Sequence, residues 1–128
     1  MFTRLVILVG LLLCTAVNAQ VARFQLTTGI AQREPVDDLG STAVIPAEGI
    51  TTLYFFTAVD NMAGKTLIHR WLYKGQEMAS VALPIRSNHW RTYSSKRIMS
   101  DWQGEWQIQV WQDDLQITQH TFTLSSDQ

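Results

Sequence analysis

Basic and aromatic residues are interleaved in one segment of this 128-residue chain, and that mixture has the clearest chemical meaning in the sequence. Between residues 86 and 97 there are three arginines, one lysine and no acidic residue, together with His89, Trp90 and Tyr93. Cations of one sign on a rigid strand attract an anionic group, and a guanidinium can fork onto a carboxylate or a phosphate. We therefore predict Arg91, Tyr93 and Lys96 as binding residues. The alternative is an edge strand whose charges prevent aggregation.

A second candidate pair, His69 and Arg70, lies in the segment 66–73. Alternation places His69 on one face with Leu67, Trp71 and Tyr73, and Arg70 on the other face with Ile68 and Leu72. Trp71 is expected to fill the core of the domain, which would leave His69 at the core's edge with its ring hydrogen-bonded. The minority interpretation is a functional pair, and on that basis His69 and Arg70 join the predicted binding residues.

The signs of catalysis are weak. Ser94 and Ser95 could act as nucleophiles, but no strand-Gly-x-Ser-x-Gly-helix elbow is present. Glu34, Asp37 and Asp38 could pair for acid–base chemistry, although solvated turn residues are the commoner interpretation. We predict no catalytic residue, no cofactor and no enzyme activity, with an envelope hydrolase as the remaining alternative.

A metal site is not expected either. His69, His89 and His120 have no short mutual spacing and no cysteine beside them, as a structural zinc site would require. Calcium at 37–38 or 113–114 remains open, but neither segment matches a recognised calcium loop.

The first residues have the pattern of a secretory signal peptide. Arg4 supplies a positive start, an apolar run follows from Leu5 to Val17, and small residues precede a predicted cut after Ala19. This run is shorter than the roughly 20 apolar residues of a membrane-spanning helix, so a membrane anchor is the weaker alternative. Residues 1–19 are therefore predicted to be removed, which gives a periplasmic or secreted protein with no stable membrane span.

The composition limits the partners of the mature chain. Cys14 is the only cysteine and would leave with the signal peptide, so no disulfide is expected. Loss of Arg4 reduces ten basic residues to nine against eleven acidic ones, and the formal charge changes from −1 to −2. That balance gives no general attraction to nucleic acid, and no nucleic-acid partner is predicted. The composition does not fix an oligomeric state.

Hydrophobic patterning predicts an all-β domain over residues 20–128. Short runs rich in β-branched and aromatic residues recur between clusters of Gly, Pro, Asn and Asp. Seven strands are expected, at Arg23–Ile30, Ile50–Val59, Thr66–Tyr73, Glu77–Pro84, Trp90–Lys96, Glu105–Trp111 and Gln116–Leu124. The second is apolar on both faces and should be central, whereas the tail 125–128 should be frayed. About seven strands of this spacing favour a single antiparallel, immunoglobulin-like β-sandwich, with a small barrel as the alternative.

Several segments together resemble a bacterial family known as domain of unknown function 2914. They are Arg33-Glu34-Pro35-Val36-Asp37, Leu53-Tyr54-Phe55-Phe56-Thr57, His69-Arg70-Trp71 with Tyr73 and Gly75, Trp90-Arg91-Thr92-Tyr93-Ser94-Ser95-Lys96 and Gly104-Glu105-Trp106. The resemblance implies a compact β module of a bacterial envelope protein. It carries no established activity and no catalytic residue.

These observations favour an exported, non-enzymatic binding or accessory module of the cell envelope. Its partner would be an anionic polymer, a glycan or a protein. The alternative is a structural or assembly domain whose motif residues serve only folding, with partners binding at an exposed sheet edge.

Overall fold

The computed structural model describes residues 18–127, and almost all of the predicted signal peptide lies outside them. These residues form ten strands rather than about seven: β1 (Gln20–Thr27), β2 (Ile30–Ala31), β3 (Glu34–Pro35), β4 (Thr42–Ile45), β5 (Ile50–Asp60), β6 (Thr66–Tyr73), β7 (Gln76–Pro84), β8 (His89–Met99), β9 (Gly104–Gln112) and β10 (Leu115–Ser126). All seven predicted strands are present. The described part of the chain contains no helix that could span a membrane.

Two sheets pack face to face, as predicted for an immunoglobulin-like sandwich. One has three strands in the order β1-β5-β8, and the other has five in the order β4-β10-β9-β6-β7. All neighbours are antiparallel except β4 and β10, which run parallel. The prediction that β5 is central is confirmed, because β1 and β8 pair with it on either side.

Side-chain alternation fills the space between the sheets. Trp71 of β6 and Trp106, Ile108 and Val110 of β9 point inwards and are fully buried, as their spacing predicted. Phe55 on the inner face of β5 packs edge-on against the ring of His69, with 5.2 Å between centroids. Burial of such large apolar side chains is the main term that stabilises a domain of this kind.

The three strands absent from the prediction are short and depend on distant partners. β2 and β3 form a two-residue ladder with each other and lie next to the outer face of the three-stranded sheet. β4 pairs only with the end of β10, about 80 residues later in the chain. The same pairing makes the expected fraying wrong for Ser125 and Ser126, which are paired with Val44 and Ile45, and Gln128 lies outside the described residues.

Candidate functional site

A pocket of about 340 Å³ opens on the three-stranded sheet beside its edge strand β8. A volume of this size falls within the range of small-ligand sites. Its wall combines three arginines with aromatic and aliphatic side chains and contains no carboxylate: Arg33, Phe56, Leu83, Pro84, Arg86, Trp90, Arg91, Thr92 and Tyr93. The predicted binding residues Arg91 and Tyr93 thus lie in one site.

The outer face of the sheet forms the floor of this pocket. In the register of the sheet, Phe56 of β5 lies opposite Tyr93 of β8, and Ala58 lies between Arg23 of β1 and Arg91 of β8. Phe56 is almost fully covered, in part by the Arg23 guanidinium 5.1 Å above its ring. Tyr93 is 48% exposed and therefore offers an accessible aromatic surface next to Arg91.

The β2–β3 hairpin contributes a wall. Its two-residue turn, Gln32-Arg33, has φ angles of 52° and 64°, the left-handed conformation that tight hairpins need and that non-glycine residues rarely adopt. The turn places Arg33 at the pocket. Backbone strain that persists at such a position is often associated with function, because a glycine would adopt it at lower cost.

One carboxylate connects the hairpin to the sheet beneath it. Glu34 Oε1 accepts a hydrogen bond from Arg23 Nη1 at 3.0 Å, and Glu34 Oε2 lies 3.8 Å from Arg91 Nη1. Among residues 18–127, neither Arg33 nor Arg86 makes an ion pair. The pocket therefore carries an excess of positive charge, and the long contact to Arg91 leaves most donors of that guanidinium unused.

Asp37 fixes the loop that carries the hairpin. Its carboxylate accepts hydrogen bonds from the hydroxyl of Thr27 at 2.6 Å and from the backbone N–H of Thr28 at 2.8 Å, and also from the Thr28 hydroxyl. Burial raises the pKa of Asp37, but the combined hydrogen bonds from Thr27 and Thr28 lower it below its ordinary value. Asp37 is thus a structural anchor.

Two other predicted binding residues lie away from the pocket. Arg70 is on the outer face of the five-stranded sheet, where its guanidinium stacks 4.3 Å above the Trp111 ring and lies 3.5 Å from Glu77. Lys96 belongs to β8 but points to the face opposite Arg91, with its ammonium 5.4 Å from the Trp102 ring. An odd separation along a strand places two side chains on opposite faces, so Arg91 and Lys96 cannot contact one small ligand from the same side.

His69 is part of a buried polar network that joins the two sheets. Its Nδ1 lies 2.6 Å from Ser94 Oγ, its Nε2 lies 3.1 Å from Thr57 Oγ1, and Trp71 Nε1 donates to Ser94 Oγ at 3.0 Å. His69 is 0% exposed and Ser94 only 3%. The ring therefore lies inside the core and not at its edge as predicted. In this position it cannot contact a ligand that comes from solvent.

The same burial decides the chemistry of the His69–Ser94 pair. The distance suits a base and a nucleophile, but no substrate reaches either side chain. Burial lowers the pKa of His69 to about 3, so the ring is neutral at physiological pH. Hydrogen bonds at both nitrogens satisfy a neutral ring, as a buried imidazole requires.

Asp38, His89 and His120 each have a partner of their own. Asp38 accepts a hydrogen bond from the Gly40 N–H, His89 pairs with Asp60 at 2.9 Å, and His120 donates to the Gly40 carbonyl. No group of three His, Cys, Asp or Glu side chains within residues 18–127 is arranged to hold a metal ion.

Sequence reasoning missed two of the three arginines in the pocket. Arg33 enters the sequence analysis only as part of a family motif, and Arg86 only as the first residue of the basic run between residues 86 and 97. Arg33 comes within reach of Arg91 through the short hairpin, an arrangement that strand periodicity does not encode. Tight two-residue turns favour Asn and Gly, so the Gln-Arg pair at this turn is unusual. This signal can be recognised only after the hairpin itself has been identified.

Two solved structures share this architecture. An immunoglobulin-like protein from Pseudomonas aeruginosa superposes with a TM-score of 0.51 at 12% identity, covering 84% of this chain and 96% of its own. The CARDB domain of a Pyrococcus furiosus protein, solved in complex with di-metal ions, gives a TM-score of 0.51 at 7% identity, covering 84% and 90%. At these identities the likeness concerns the fold alone, and it confirms the predicted immunoglobulin-like sandwich.

Sequence comparison adds one family. No curated protein matches this chain. The matched region runs from the loop before β6 into β10 and contains the motifs at 69–73, 90–96 and 104–106, whereas those at 33–37 and 53–57 precede it. The resemblance seen in the sequence is confirmed for this region: residues 64–124 match the family described as Protein of unknown function (DUF2914).

Proposed function

We propose that this chain is an exported, non-enzymatic binding module of the bacterial cell envelope, which holds an anionic group of an envelope polymer or of a protein partner in the pocket beside β8. The observation that carries the proposal is the convergence of Arg33, Arg86 and Arg91 on one pocket whose wall has no carboxylate. The β2–β3 turn supplies Arg33, and the run 86–97 supplies Arg86 and Arg91. Like charges repel one another, and an anion bound between them would offset this repulsion.

The chemistry of the pocket suits a carboxylate, sulfate or phosphate group that is attached to a larger body. Guanidinium groups bind planar or tetrahedral anions through paired N–H donors. The exposed ring of Tyr93 and the partly buried Trp90 add apolar surface for the rest of the ligand. Glu34 balances Arg23 but reaches Arg91 only at 3.8 Å, so the positive charge of the pocket is not cancelled.

The proposed location rests on the sequence. The N-terminal pattern indicates a cleaved signal peptide, and β1 begins at Gln20, so a cut after Ala19 would leave the first strand intact. The mature chain would contain no cysteine and would depend on its core for stability.

Binding to two defined polyanions tests the proposal. Polygalacturonate and poly-L-glutamate would be titrated into the mature protein at low salt and followed by calorimetry. We expect Arg91→Gln to weaken binding by about 1.5–3 kcal/mol, the usual contribution of a hydrogen bond to a charged group. Arg97→Gln is the matched control, since Arg97 is exposed on the same face of β8 but does not line the pocket. Equal affinity of both variants and the parent for both polymers would refute this site.

The second candidate function is a structural or assembly domain whose motif residues serve only folding. The observation in its favour is that Trp71, Trp106 and Ser94 are enclosed in the core and Asp37 anchors a loop. The test compares how much of the parent protein and of Arg91→Gln is retained on cell-envelope fractions. Equal retention of the two proteins would favour this candidate over recognition through the pocket.

A further inference from the structure

The pocket lies along the free edge of β8 as well as on the face of its sheet. Trp90, Arg91, Thr92 and Tyr93 all line it, although they are consecutive in one strand. Successive side chains of a strand point to opposite faces, so a single pocket contacts all four only where it extends around the edge of the strand. A ligand in that position lies beside the backbone of β8.

This backbone edge has no partner within residues 18–127. β8 pairs with β5 on one side only, and no backbone hydrogen bond from another described segment reaches residues 90–98 on the other side. The strand is eleven residues long. Unpaired N–H and C=O groups in such a row are a template for an additional strand.

The charges beside this edge select the kind of strand that would pair with it. Arg86 and Arg91 line the pocket next to the edge, and Arg33 approaches from the hairpin. A strand with acidic residues at alternate positions would bring each carboxylate to the same side, where these guanidiniums lie. Glu34 of the two-stranded hairpin lies 3.8 Å from Arg91 Nη1, so this guanidinium already has a carboxylate beside it and keeps donors free for another.

We infer that the anionic partner is an extended acidic peptide segment that adds to the free edge of β8 and places a carboxylate among Arg33, Arg86 and Arg91. This inference rests on the proposed function and narrows it to a protein partner. Backbone pairing supplies affinity that does not depend on sequence, and the arginines supply the preference for acidic residues.

Short peptides provide the probes. The parent probe is acetyl-Val-Glu-Val-Glu-Val-Glu-amide, and a second probe replaces each Glu with Gln. Two further probes carry N-methyl groups, one on every Val nitrogen and the other on every Glu nitrogen, so that each lacks the N–H donors on one edge of the strand. Affinities would be measured by calorimetry, and exchange of the β8 amide protons by NMR.

We expect the parent peptide to bind and to slow exchange of alternate amides in the segment 90–98. The Gln peptide should bind about tenfold more weakly or worse, because charge-assisted hydrogen bonds are lost. Only one of the two methylated peptides should lose affinity, by about tenfold or more, since only one edge of an added strand faces β8. Arg91→Gln should weaken binding of the parent peptide, and Arg97→Gln should leave it unchanged.

The outcomes separate this inference from the function on which it rests. If the two methylated peptides bind alike, the peptide is held as a polyanion without strand pairing, and the inference is overturned while the anion site stands. If polygalacturonate binds through Arg91 and no peptide does, the partner is an acidic glycan, and again only the inference is lost. If neither probe binds, both the inference and the proposed function are wrong.

Discussion

Acid should destabilise this protein through His69 at pH values between 6.5 and 3. The ring is enclosed between the sheets, with Phe55 packed against it and hydroxyl groups at both nitrogens, and no carboxylate is hydrogen-bonded to it. Burial lowers the pKa of His69 to about 3 in the folded state, whereas an unfolded histidine titrates near its ordinary value of 6.5. The unfolded chain therefore takes up a proton first as the pH falls.

The magnitude follows from linkage between protonation and folding. Above pH 6.5 the ring is neutral in both the folded and the unfolded chain, so the protein has its full stability. As the pH falls from 6.5 towards 3, only the unfolded chain binds the proton, and the free energy of unfolding decreases. Between pH 7 and pH 5 this loss is about 2 kcal/mol, and near pH 5 the slope is about 1.4 kcal/mol per pH unit for one proton. That loss is a substantial part of a stability of about 5–15 kcal/mol.

Urea unfolding at a series of pH values between 7 and 4.5 measures the effect. The comparison is between the parent and His69→Gln, because all other titrating groups contribute almost equally to both proteins and cancel in the difference. We expect the variant to be less stable than the parent at pH 7. Its free energy of unfolding should depend less steeply on pH, because near pH 5 the variant should take up about one proton fewer on unfolding than the parent does. Parallel curves for the two proteins would show that His69 is not a buried neutral ring and would refute the assigned network.

Three further predictions concern stability and binding. Trp71→Ala should cost about 3–5 kcal/mol in urea unfolding, whereas Trp111→Ala, on the outer face, should cost clearly less; equal losses would contradict the assigned core. Arg33→Gly should keep or raise the melting temperature, since φ is 64° at this position, and yet weaken anion binding; a large loss of stability would argue against the hairpin turn. Asp37→Asn should lower stability at pH 7 by about 1 kcal/mol, because a neutral amide accepts weaker hydrogen bonds from Thr27 and Thr28 than the charged but exposed carboxylate does. The stabilisation by Asp37 is present above pH 3.8 and declines below it, since its folded-state pKa is lowered, so the difference between parent and variant should shrink in acid.

The parts of the fold that could be predicted are those in which local alternation coincides with burial. β9 shows this most clearly, because Trp106, Ile108 and Val110 alternate with polar residues and all three are fully buried. β4 has the same inward alternation at Ala43 and Ile45, but its four residues lie in a loop rich in Gly and Pro, where so short a pattern has little weight. Its partner strand is distant in sequence, so no local signal identifies the pairing.

The candidate site was only partly predictable for the same reason. Arg91 and Tyr93 are two residues apart on one strand, so alternation correctly placed them together. The prediction that grouped Lys96 with them relied on closeness in sequence, and the odd separation from Arg91 sends it to the other face. Arg33 could not be assigned to the site from its neighbours, because its position depends on how the hairpin lies against the sheet.

The position of β10 has a consequence for the order in which this protein can fold. β10 lies between β4 and β9, so it joins an early part of the chain to a late one, and the five-stranded sheet cannot close before residues near Ser126 are available. During synthesis from the N-terminus onwards, β4 therefore stays without its partner strand until β10 has been made. Assembly by such non-local contacts is slow. The polypeptide therefore stays unfolded for longer than a chain whose sheet is built from neighbouring hairpins.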